Sequence, residues 1–373
     1  MIKDKLFGNK NIKKLDYPML LVICILISFG LVILASASSY AALSTYSDSN
    51  YFLFRQLGFA MLGIFFMIII SKIDFNIYKK FAYVGFAVSL LLMIAVLIPG
   101  IGVSVKGATR WLGVGILRFQ PSEVMKIMLV IAVSSFISLN YKKLKNIWGY
   151  IPTILMLIAV CVVMYFQNHL SGTVIMIVGA ISVIFSSGIK LNFKVITAVV
   201  LIAIIAGSTF ILSEDFRMKR ITAFLNPEVD LKGDNWQAAQ SLYAIGTGGV
   251  FGLGLGQSRQ KFLWLPEAQN DFIFSVLGEE LGLMGTVTVL GLFSFFIYRG
   301  YYIAISCKEL YGTLIATGIT SVFALQILIN IAVVTCSMPV TGMPLPFFSY
   351  GGTALFINLC SMGILLNISR TCK

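Results

Sequence analysis

The chain has 373 residues, of which 58% are hydrophobic and only 12% are charged, and its formal net charge is +13 at pH 7. Because an ordinary soluble domain has about 25% charged residues, so few charges cannot cover a water-soluble surface of this size. This composition excludes a soluble enzyme, a disordered scaffold and a secreted disulfide-rich module, and it indicates a polytopic membrane protein. The placement of the positive charges, rather than their sum, decides what they bind, and we expect no nucleic acid partner.

Apolar runs that cross about 30 Å of hydrocarbon need about 20 residues each. We predict an all-α polytopic membrane fold with about ten transmembrane helices, at 17–38, 52–71, 79–98, 123–139, 150–166, 171–188, 193–212, 272–298, 311–335 and 348–368. Residues 1–373 are expected to form a single integral-membrane domain, with an N-terminal tail at 1–16 and a long extracytoplasmic loop at 213–271, between the seventh and eighth spans. The apolar stretch from Tyr17 to Leu34 exceeds the usual 7–15 residues of a signal peptide, which favours a retained anchor.

The cysteines and the histidine limit which kinds of site the chain can contain. The six cysteines lack CxxC spacing and most lie in apolar runs, so we expect neither a disulfide framework nor a metal site. The single histidine argues against a His-based metal centre and against a Ser-His-Asp triad.

Basic residues predict the orientation, because cytoplasmic loops carry an excess of Lys and Arg. With the N-terminus inside, most basic residues fall on cytoplasmic segments, and an even number of spans places both termini in the cytoplasm. The remaining basic residues are expected near the outer face; they are Arg55, Lys106, Arg110, Arg118, Lys126, Arg217, Lys219, Arg220, Lys232, Arg259 and Lys261. They are either merely solvated or form a surface for a polyanionic, membrane-bound ligand, and we prefer the second interpretation.

The first candidate site is the stretch from Gly107 to Lys126. Pro121 and Ser122 predict a helix start, since Pro suits the first turn and Ser can cap free N–H groups. Glu123 and Lys126 then lie three residues apart on one helix face, just inside the membrane. They form either a local ion pair worth a few tenths of a kcal/mol or a functional pair, and the cost of burying ionisable groups in a membrane favours function.

The second candidate site is the stretch from Trp264 to Phe274, where Asp271 is the last polar residue before the eighth span. Its carboxylate could cap the helix N-terminus, or it could take a proton from a substrate hydroxyl at the membrane boundary. Composition alone leaves both interpretations open. Glu279 and Glu280 should lie about 12 Å deeper, at 1.5 Å per residue, and are interpreted as packing or gating groups.

Two irregular segments complete the pattern. Six glycines between 246 and 256 fit no nucleotide-binding motif and predict a re-entrant segment that turns sharply and packs closely. The stretch from Pro339 to Gly352 contains three prolines and cannot form one straight helix, so we expect it to line a cavity.

His169 lies in the turn between the fifth and sixth spans. A single histidine in such a turn more often caps a helix or joins a hydrogen-bond network than acts as a catalyst, and we expect the same of His169.

These motifs resemble those of the SEDS family (shape, elongation, division and sporulation), which includes RodA, FtsW and SpoVE. The matching segments are GATRWLGVG, RFQPSEVMK, QSLYAIGTGGVFGLGLG, LPEAQNDFIFSVLGEELGLMG and MPVTGMPLPFFSYGGT. They cover about residues 107–353, and the ten-span layout extends the resemblance over nearly the whole chain.

The resemblance implies a peptidoglycan glycosyltransferase that polymerises lipid II on the outer face of the bacterial cytoplasmic membrane. The essential Asp of the family falls on Asp271, which is expected to deprotonate the acceptor hydroxyl. The other matching positions are expected to bind substrate; they are Arg55, Arg110, Trp111, Glu123, Lys126 and Ser349. His169 and Glu267 are expected as accessory residues. A divalent cation, Mg²⁺ or Mn²⁺, could share the stabilisation of pyrophosphate, but no dedicated ligand set is visible.

The family also implies partners: lipid II, the growing glycan strand, membrane lipids and a class B penicillin-binding protein that crosslinks the strands. One departure is QNHLSGT, where relatives often have QPDLGT, so a role of that Asp is lost or passes to His169. The segment SRQK and Asn270 resemble the FtsW/SpoVE branch, which favours septal or spore-cortex synthesis. A lipid II flippase and a scaffold for the partner synthase remain as alternatives.

Overall fold

The chain folds mainly into helices. The computed structural model describes residues 15–105, 108–114, 117–144, 147–188, 235–262 and 264–371, together with positions 222 and 224. The helices of these ranges are α1 (Tyr17–Tyr46), α2 (Tyr51–Ile70), α3 (Asn76–Ala95), α4 (Pro121–Asn140), α5 (Ile151–Phe166), α6 (Leu170–Ser186), α7 (Trp236–Gly248), α8 (Ile273–Ser306), α9 (Leu310–Val334) and α10 (Gly352–Thr371). Within these ranges, seven helices are long and apolar enough to cross a membrane, and α5 and α6 are shorter apolar helices.

Most predicted spans coincide with a helix, and two differences have physical causes. The last helix begins at Gly352 rather than 348, because the proline-rich stretch before it is irregular. Helix α7 falls inside the predicted 213–271 loop, in a stretch too polar to be taken for a span. The predicted span at 193–212 and most of the N-terminal tail lie outside the described residues.

The two ends of the bundle are defined by their polar contacts. The Asp16 side chain accepts the Met19 N–H at 2.9 Å at the start of α1, and it also pairs with Arg299 of α8. We call the end that carries Asp16 and Arg299 the near end. The far end is the opposite one, which carries Arg55 at the start of α2.

A small antiparallel sheet interrupts the all-α pattern at the far end. Strands β1 (Gly102–Val105), β2 (Ala108–Val114) and β3 (Leu117–Phe119) pair in sequence order between α3 and α4. The segment is too short and too polar for another span, and its β-branched residues suit paired strands. The all-α prediction did not include these strands.

Small residues let the helices approach closely, as is common in membrane bundles. A Cβ atom at Gly63 of α2 would lie 2.5 Å from Leu359 Cδ1 of α10. At Gly30 of α1 it would lie 2.4 Å from the carbonyl oxygen of Phe347. The proline-rich segment is therefore enclosed by the bundle.

Helix α8 is broken at Gly282, whose φ of 63° and ψ of −159° are not helical. The glycine-rich turn after α7 fits into this break, since the Leu253 N–H donates to the Glu279 carbonyl at 3.0 Å and the Gly254 N–H to that of Glu280 at 2.9 Å. At Gly252, φ is +80° and a Cβ would lie 2.1 Å from the Glu280 carbonyl oxygen. The predicted sharp turn with close packing is confirmed.

The predicted depth of Glu279 and Glu280 is wrong. The Ser36 hydroxyl donates to Glu280 at 2.5 Å, and Ser36 lies about 30 Å along α1 from Asp16 at 1.5 Å per residue. Glu280 is therefore at the far end, because α8 is broken rather than one straight helix that descends from Asp271.

The sequence predicted no disulfide framework, and among the described cysteines one forms a disulfide bond. Cys307 is disulfide-bonded, whereas Cys24, Cys161, Cys336 and Cys360 are free. A disulfide depends on the distance between two Cβ atoms in the fold, which sequence spacing does not reveal.

Candidate functional site

The centre of the candidate site is the irregular segment 335–351, between α9 and α10. Its backbone carbonyls are engaged by side chains of several helices. Gln56 of α2 donates to the Ser349 carbonyl at 3.1 Å and accepts the Gly351 N–H at 3.1 Å. Ser171 of α6 donates to the Thr341 carbonyl at 3.3 Å. Non-helical backbone at membrane depth needs such partners, so this segment forms a satisfied internal wall.

Asp271 lies against this wall. A Cβ atom at Gly342 would be in van der Waals contact with Asp271 Oδ2, at 3.4 Å, and the φ of +69° at this position favours glycine. Asn330 of α9 donates to the Asp271 carbonyl at 2.9 Å. The residue at the N-cap position of α8 is Phe272, so Asp271 stands one position before the cap. The half-buried Asp271 is thus held by its backbone at the helix start.

Ser349 and Glu267 stabilise the chain around Asp271. The Ser349 hydroxyl accepts the Leu345 N–H at 2.7 Å and donates to the Asn270 carbonyl at 2.5 Å. Glu267 accepts the Asn270 side-chain amide and has a φ of 57°. The structure therefore gives the buried Ser349 two backbone partners, and substrate binding by Ser349 or Glu267 stays a prediction.

Glu123 and Lys126 form the predicted pair on α4, with 2.9 Å between Oε2 and Nζ. Both are buried, and Lys126 also donates to the Gln326 side chain of α9 at 2.9 Å. The predicted cap by Ser122 is wrong, because Gln120 holds the N-cap position and Ser122 lies inside the first turn. The Ser122 hydroxyl is buried, and within the described ranges it has no hydrogen-bond partner.

Arg110 and Trp111 lie on β2. Arg110 donates from Nε to the Gln167 carbonyl at 3.4 Å and from Nη2 to the Asn168 carbonyl. It therefore joins the sheet to the turn between α5 and α6. Trp111 is half-buried and pairs with Val103 of β1.

His169 caps α6, as the simpler interpretation predicted. Its Nδ1 accepts the Gly172 N–H at 3.0 Å, so the proton of the neutral ring is on Nε2. This ring nitrogen lies 3.2 Å from Nε2 of the Gln120 side chain. Burial, with the nearby Arg110 charge second, lowers the pKa of His169 to about 3. The ring is therefore neutral at physiological pH.

Arg55 lies at the opposite edge of the wall. Its Nη1 donates to the Tyr51 hydroxyl at 2.8 Å, and the guanidinium lies 5.4 Å from the Tyr51 ring centroid. Burial raises the pKa of the Tyr350 hydroxyl, whereas the charges of Arg55 and Arg118 oppose that rise. Two arginines thus face the same aromatic group of the proline-rich segment.

The predicted basic outer surface is only partly present. Lys261 is buried, with its Nζ 3.2 Å from Glu280 Oε1. The Arg259 N–H donates to Glu279 at 2.9 Å. Lys261 therefore neutralises a buried carboxylate and offers no surface charge. Arg217, Lys219, Arg220, Lys232 and Lys106 lie outside the described residues.

No set of metal ligands emerges in the part of the chain that the structure describes. Among those residues, no group of three or more His, Cys, Asp or Glu side chains could hold a metal ion.

Sequence reasoning missed the amide side chains Gln56, Gln326 and Asn330. Each is a neutral polar residue inside an apolar run, and each binds the backbone of the proline-rich segment. The available signal was the cost of an unpaired amide at membrane depth, which predicts a nearby partner.

Comparison with known proteins identifies the family. A family model described as "Cell cycle protein", which covers FtsW, RodA and SpoVE, matches residues 17–373. The chain belongs to this family. It is 40% identical to stage V sporulation protein E of Bacillus subtilis, over 96% of this chain and 98% of that protein. It is 39% identical to the probable peptidoglycan glycosyltransferase FtsW of Trichlorobacter lovleyi, over 96% of this chain and 94% of that protein.

Solved structures show the same fold. One chain of a structure described as "Structural coordination of polymerization and crosslinking by a peptidoglycan synthase complex" matches with a TM-score of 0.76 and 25% identity, over 95% of this chain and 98% of that chain. The rod shape determining protein RodA of Thermus thermophilus matches with a TM-score of 0.70 and 25% identity, over 96% and 97% of the two chains. The chain is therefore a multi-pass membrane protein of the FtsW/RodA/SpoVE type.

Proposed function

We propose that the chain is a peptidoglycan glycosyltransferase that polymerises lipid II, a disaccharide-peptide on undecaprenyl pyrophosphate. The observation that carries the proposal is the placement of Asp271, whose carboxylate lies beside Gly342 in an irregular wall at the end of the bundle that also carries Arg55 and Arg110. A carboxylate at the same end of the bundle as cationic groups suits the transfer of a sugar from a lipid pyrophosphate. Full-length relatives named as peptidoglycan glycosyltransferases support this assignment.

In the proposed reaction, Asp271 acts as the general base. It accepts the proton of the acceptor sugar hydroxyl as that oxygen bonds to the anomeric carbon of the donor. The bond between this carbon and the pyrophosphate oxygen breaks, and the α-linked undecaprenyl pyrophosphate leaves with the electron pair. Attack from the opposite face gives a β linkage, and the Asp271 carboxyl later releases its proton.

Cationic side chains stabilise the charge that develops on the leaving group. Arg55 and Arg110 are half-buried and stand at two sides of the wall. Lys126 is buried against Glu123, and among the described residues its three donors have two partners. We therefore assign the first contacts with pyrophosphate to the two arginines. Lys126 is assigned a single contact with pyrophosphate, from the inside of the wall.

The remaining predicted residues support this arrangement. Ser349 and Glu267 hold the chain on either side of Asn270, and Trp111 stiffens the sheet that carries Arg110. His169 holds the α5–α6 turn, and its lowered pKa makes the ring a weak base. A divalent cation, Mg²⁺ or Mn²⁺, would arrive bound to pyrophosphate oxygens, which supply the hard ligands that such ions prefer.

We further propose that the near end faces the cytoplasm, with both termini, and that the far end faces outward. The whole chain acts as one membrane domain, whose 213–271 segment is extracytoplasmic. The partner is a class B penicillin-binding protein that crosslinks the product, in line with the synthase complex whose chain has this fold. Similarity to SpoVE and FtsW proteins supports septal or spore-cortex synthesis rather than elongation.

The test uses the purified full chain in liposomes with fluorescent lipid II and its class B partner. Glycan ladders made in a reaction that depends on this chain would support the proposal. Movement of lipid II across the bilayer without polymer would replace it with a flippase. Equal ladders from the partner alone would reduce this chain to a scaffold.

A further inference from the structure

Asn330 of α9 bridges two segments that are far apart in sequence. Its Nδ2 donates to the Asp271 carbonyl at 2.9 Å and to the Met343 carbonyl at 2.7 Å. Because both partners are carbonyl oxygens, the NH₂ group must face them. The side chain is 1% exposed, and its Oδ1 has no hydrogen-bond partner among the residues that the structure describes. Toward these residues, Asn330 therefore acts as a double donor.

Gln326 makes an equivalent bridge one turn earlier on the same face of α9. Its Oε1 accepts from Lys126 Nζ at 2.9 Å, and its Nε2 donates to the Pro344 carbonyl at 2.9 Å. The side chain is 2% exposed. Gln326 thus joins the Glu123–Lys126 pair to the proline-rich segment.

The two bridges act on successive residues of that segment, Met343 and Pro344. Asp271 Oδ2 lies beside Gly342, and Gly342 to Pro344 span at most about 7 Å. The carboxylate and the Lys126 ammonium are therefore held near the two ends of the same three-residue stretch. A shift of either bridge would change their separation.

A purely structural bridge also exists in the molecule. Asn367 of α10 accepts the Phe75 N–H at 3.0 Å and donates to the Ser71 carbonyl at 3.0 Å, and it is equally buried. It lies at the near end, away from Asp271. Asn367 is therefore the matched control for the loss of a buried asparagine that bridges two backbone groups.

We propose that Gln326 and Asn330 are positioning residues that set the separation between the general base Asp271 and the cation Lys126. This inference rests on the proposed glycosyltransferase function. The two amides touch no substrate themselves. They act through the Asp271 backbone, the Lys126 ammonium and the carbonyls of Met343 and Pro344.

The test compares Asn330→Leu, which keeps the shape without the donors, with Asn367→Leu. In Asn330→Leu we expect kcat for glycan polymerisation to fall at least about tenfold while KM for lipid II changes less than about threefold, because geometry and not binding is lost. Asn367→Leu should keep kcat near the wild-type value even if it lowers Tm as much as Asn330→Leu does. Asn330→Gln, which restores an NH₂ donor, should recover part of the lost rate.

A second readout does not depend on activity. Hydrogen–deuterium exchange should rise in both 264–272 and 339–351 in Asn330→Leu, and in neither segment in Asn367→Leu. Wild-type kcat in a folded Asn330→Leu, or equal kcat losses in both variants at equal Tm, would overturn the proposal. If the wild-type chain made no glycan, the proposed function would fail, while the exchange data would still decide whether the bridges hold the two segments.

The coupling between Gln326 and Asn330 provides an independent test. If both amides set one separation, the kcat losses of Gln326→Leu and Asn330→Leu should combine to less than their product in the double variant. Fully multiplicative losses would contradict a shared positioning role.

Discussion

At the scale of single residues, burial decides what His169 can do. The ring accepts the Gly172 N–H and lies beside Arg110, and its pKa is lowered to about 3. Because the folded pKa is below the unfolded value of about 6.5, the unfolded chain binds the extra proton between these values. The stability contribution of the neutral ring is therefore complete above about pH 6.5 and is lost as the pH falls toward 3.

This loss of stability toward low pH can be tested with His169→Asn, since Asn also caps helices but does not titrate. Between pH 7 and pH 5, the wild type should lose up to about 2 kcal/mol more stability than the variant, at about 1.4 kcal/mol per unit. Thermal unfolding in detergent at both pH values measures the difference. Parallel losses in the two proteins would show that His169 does not titrate in this range.

At the scale of elements, the turn after α7 depends on one close approach. In Gly252→Ala, the new Cβ would meet the Glu280 carbonyl at 2.1 Å in a left-handed conformation. We expect a loss of at least about 1–3 kcal/mol from backbone strain. Gly246→Ala on α7 has nothing within 4 Å and should be neutral or slightly stabilising. Thermal unfolding of the pair tests this, and equal Tm values would contradict it.

The same region contains a buried ion pair that links three elements. Lys261 Nζ contacts Ser36 Oγ at 3.0 Å, the Gly256 carbonyl at 2.6 Å and Glu280. Lys261→Met would leave the Glu280 charge buried and uncompensated, at a cost of about 3–5 kcal/mol. Lys308→Met, at an exposed position, is the control. A Tm for Lys261→Met as high as that of Lys308→Met would contradict this cost.

Elements also show where sequence reasoning succeeds and fails. Long apolar runs locate most helices, because each must satisfy its own backbone in the membrane. The break at Gly282 and the depth of Glu280 were missed, since they depend on the turn at 249–254 docking into α8. Motif residues such as Asp271 and Lys126 were found, whereas Gln326 and Asn330 were not, because an amide inside an apolar run predicts a nearby partner without indicating which segment supplies it.

At the scale of the whole molecule, the proposed site requires one orientation in the membrane. Asp48 lies exposed at the far end and Lys308 exposed at the near end. A membrane-impermeant thiol reagent should label Asp48→Cys in intact cells, but Lys308→Cys only after permeabilisation, each compared with the parent protein. The reverse pattern would place Asp271 on the cytoplasmic side and would exclude polymerisation outside.

The most direct measurement of the central claim is lipid II polymerisation by Asp271→Asn, beside wild type and Asp74→Asn. Asp74 makes the same change from acid to amide at the near end, where it accepts the Asn76 N–H at 3.0 Å. With all three proteins folded by thermal shift, we predict long glycans from wild type and Asp74→Asn, and a loss of about 10²–10⁴-fold in rate for Asp271→Asn. Wild-type rates from Asp271→Asn would contradict the assignment of Asp271 as the general base.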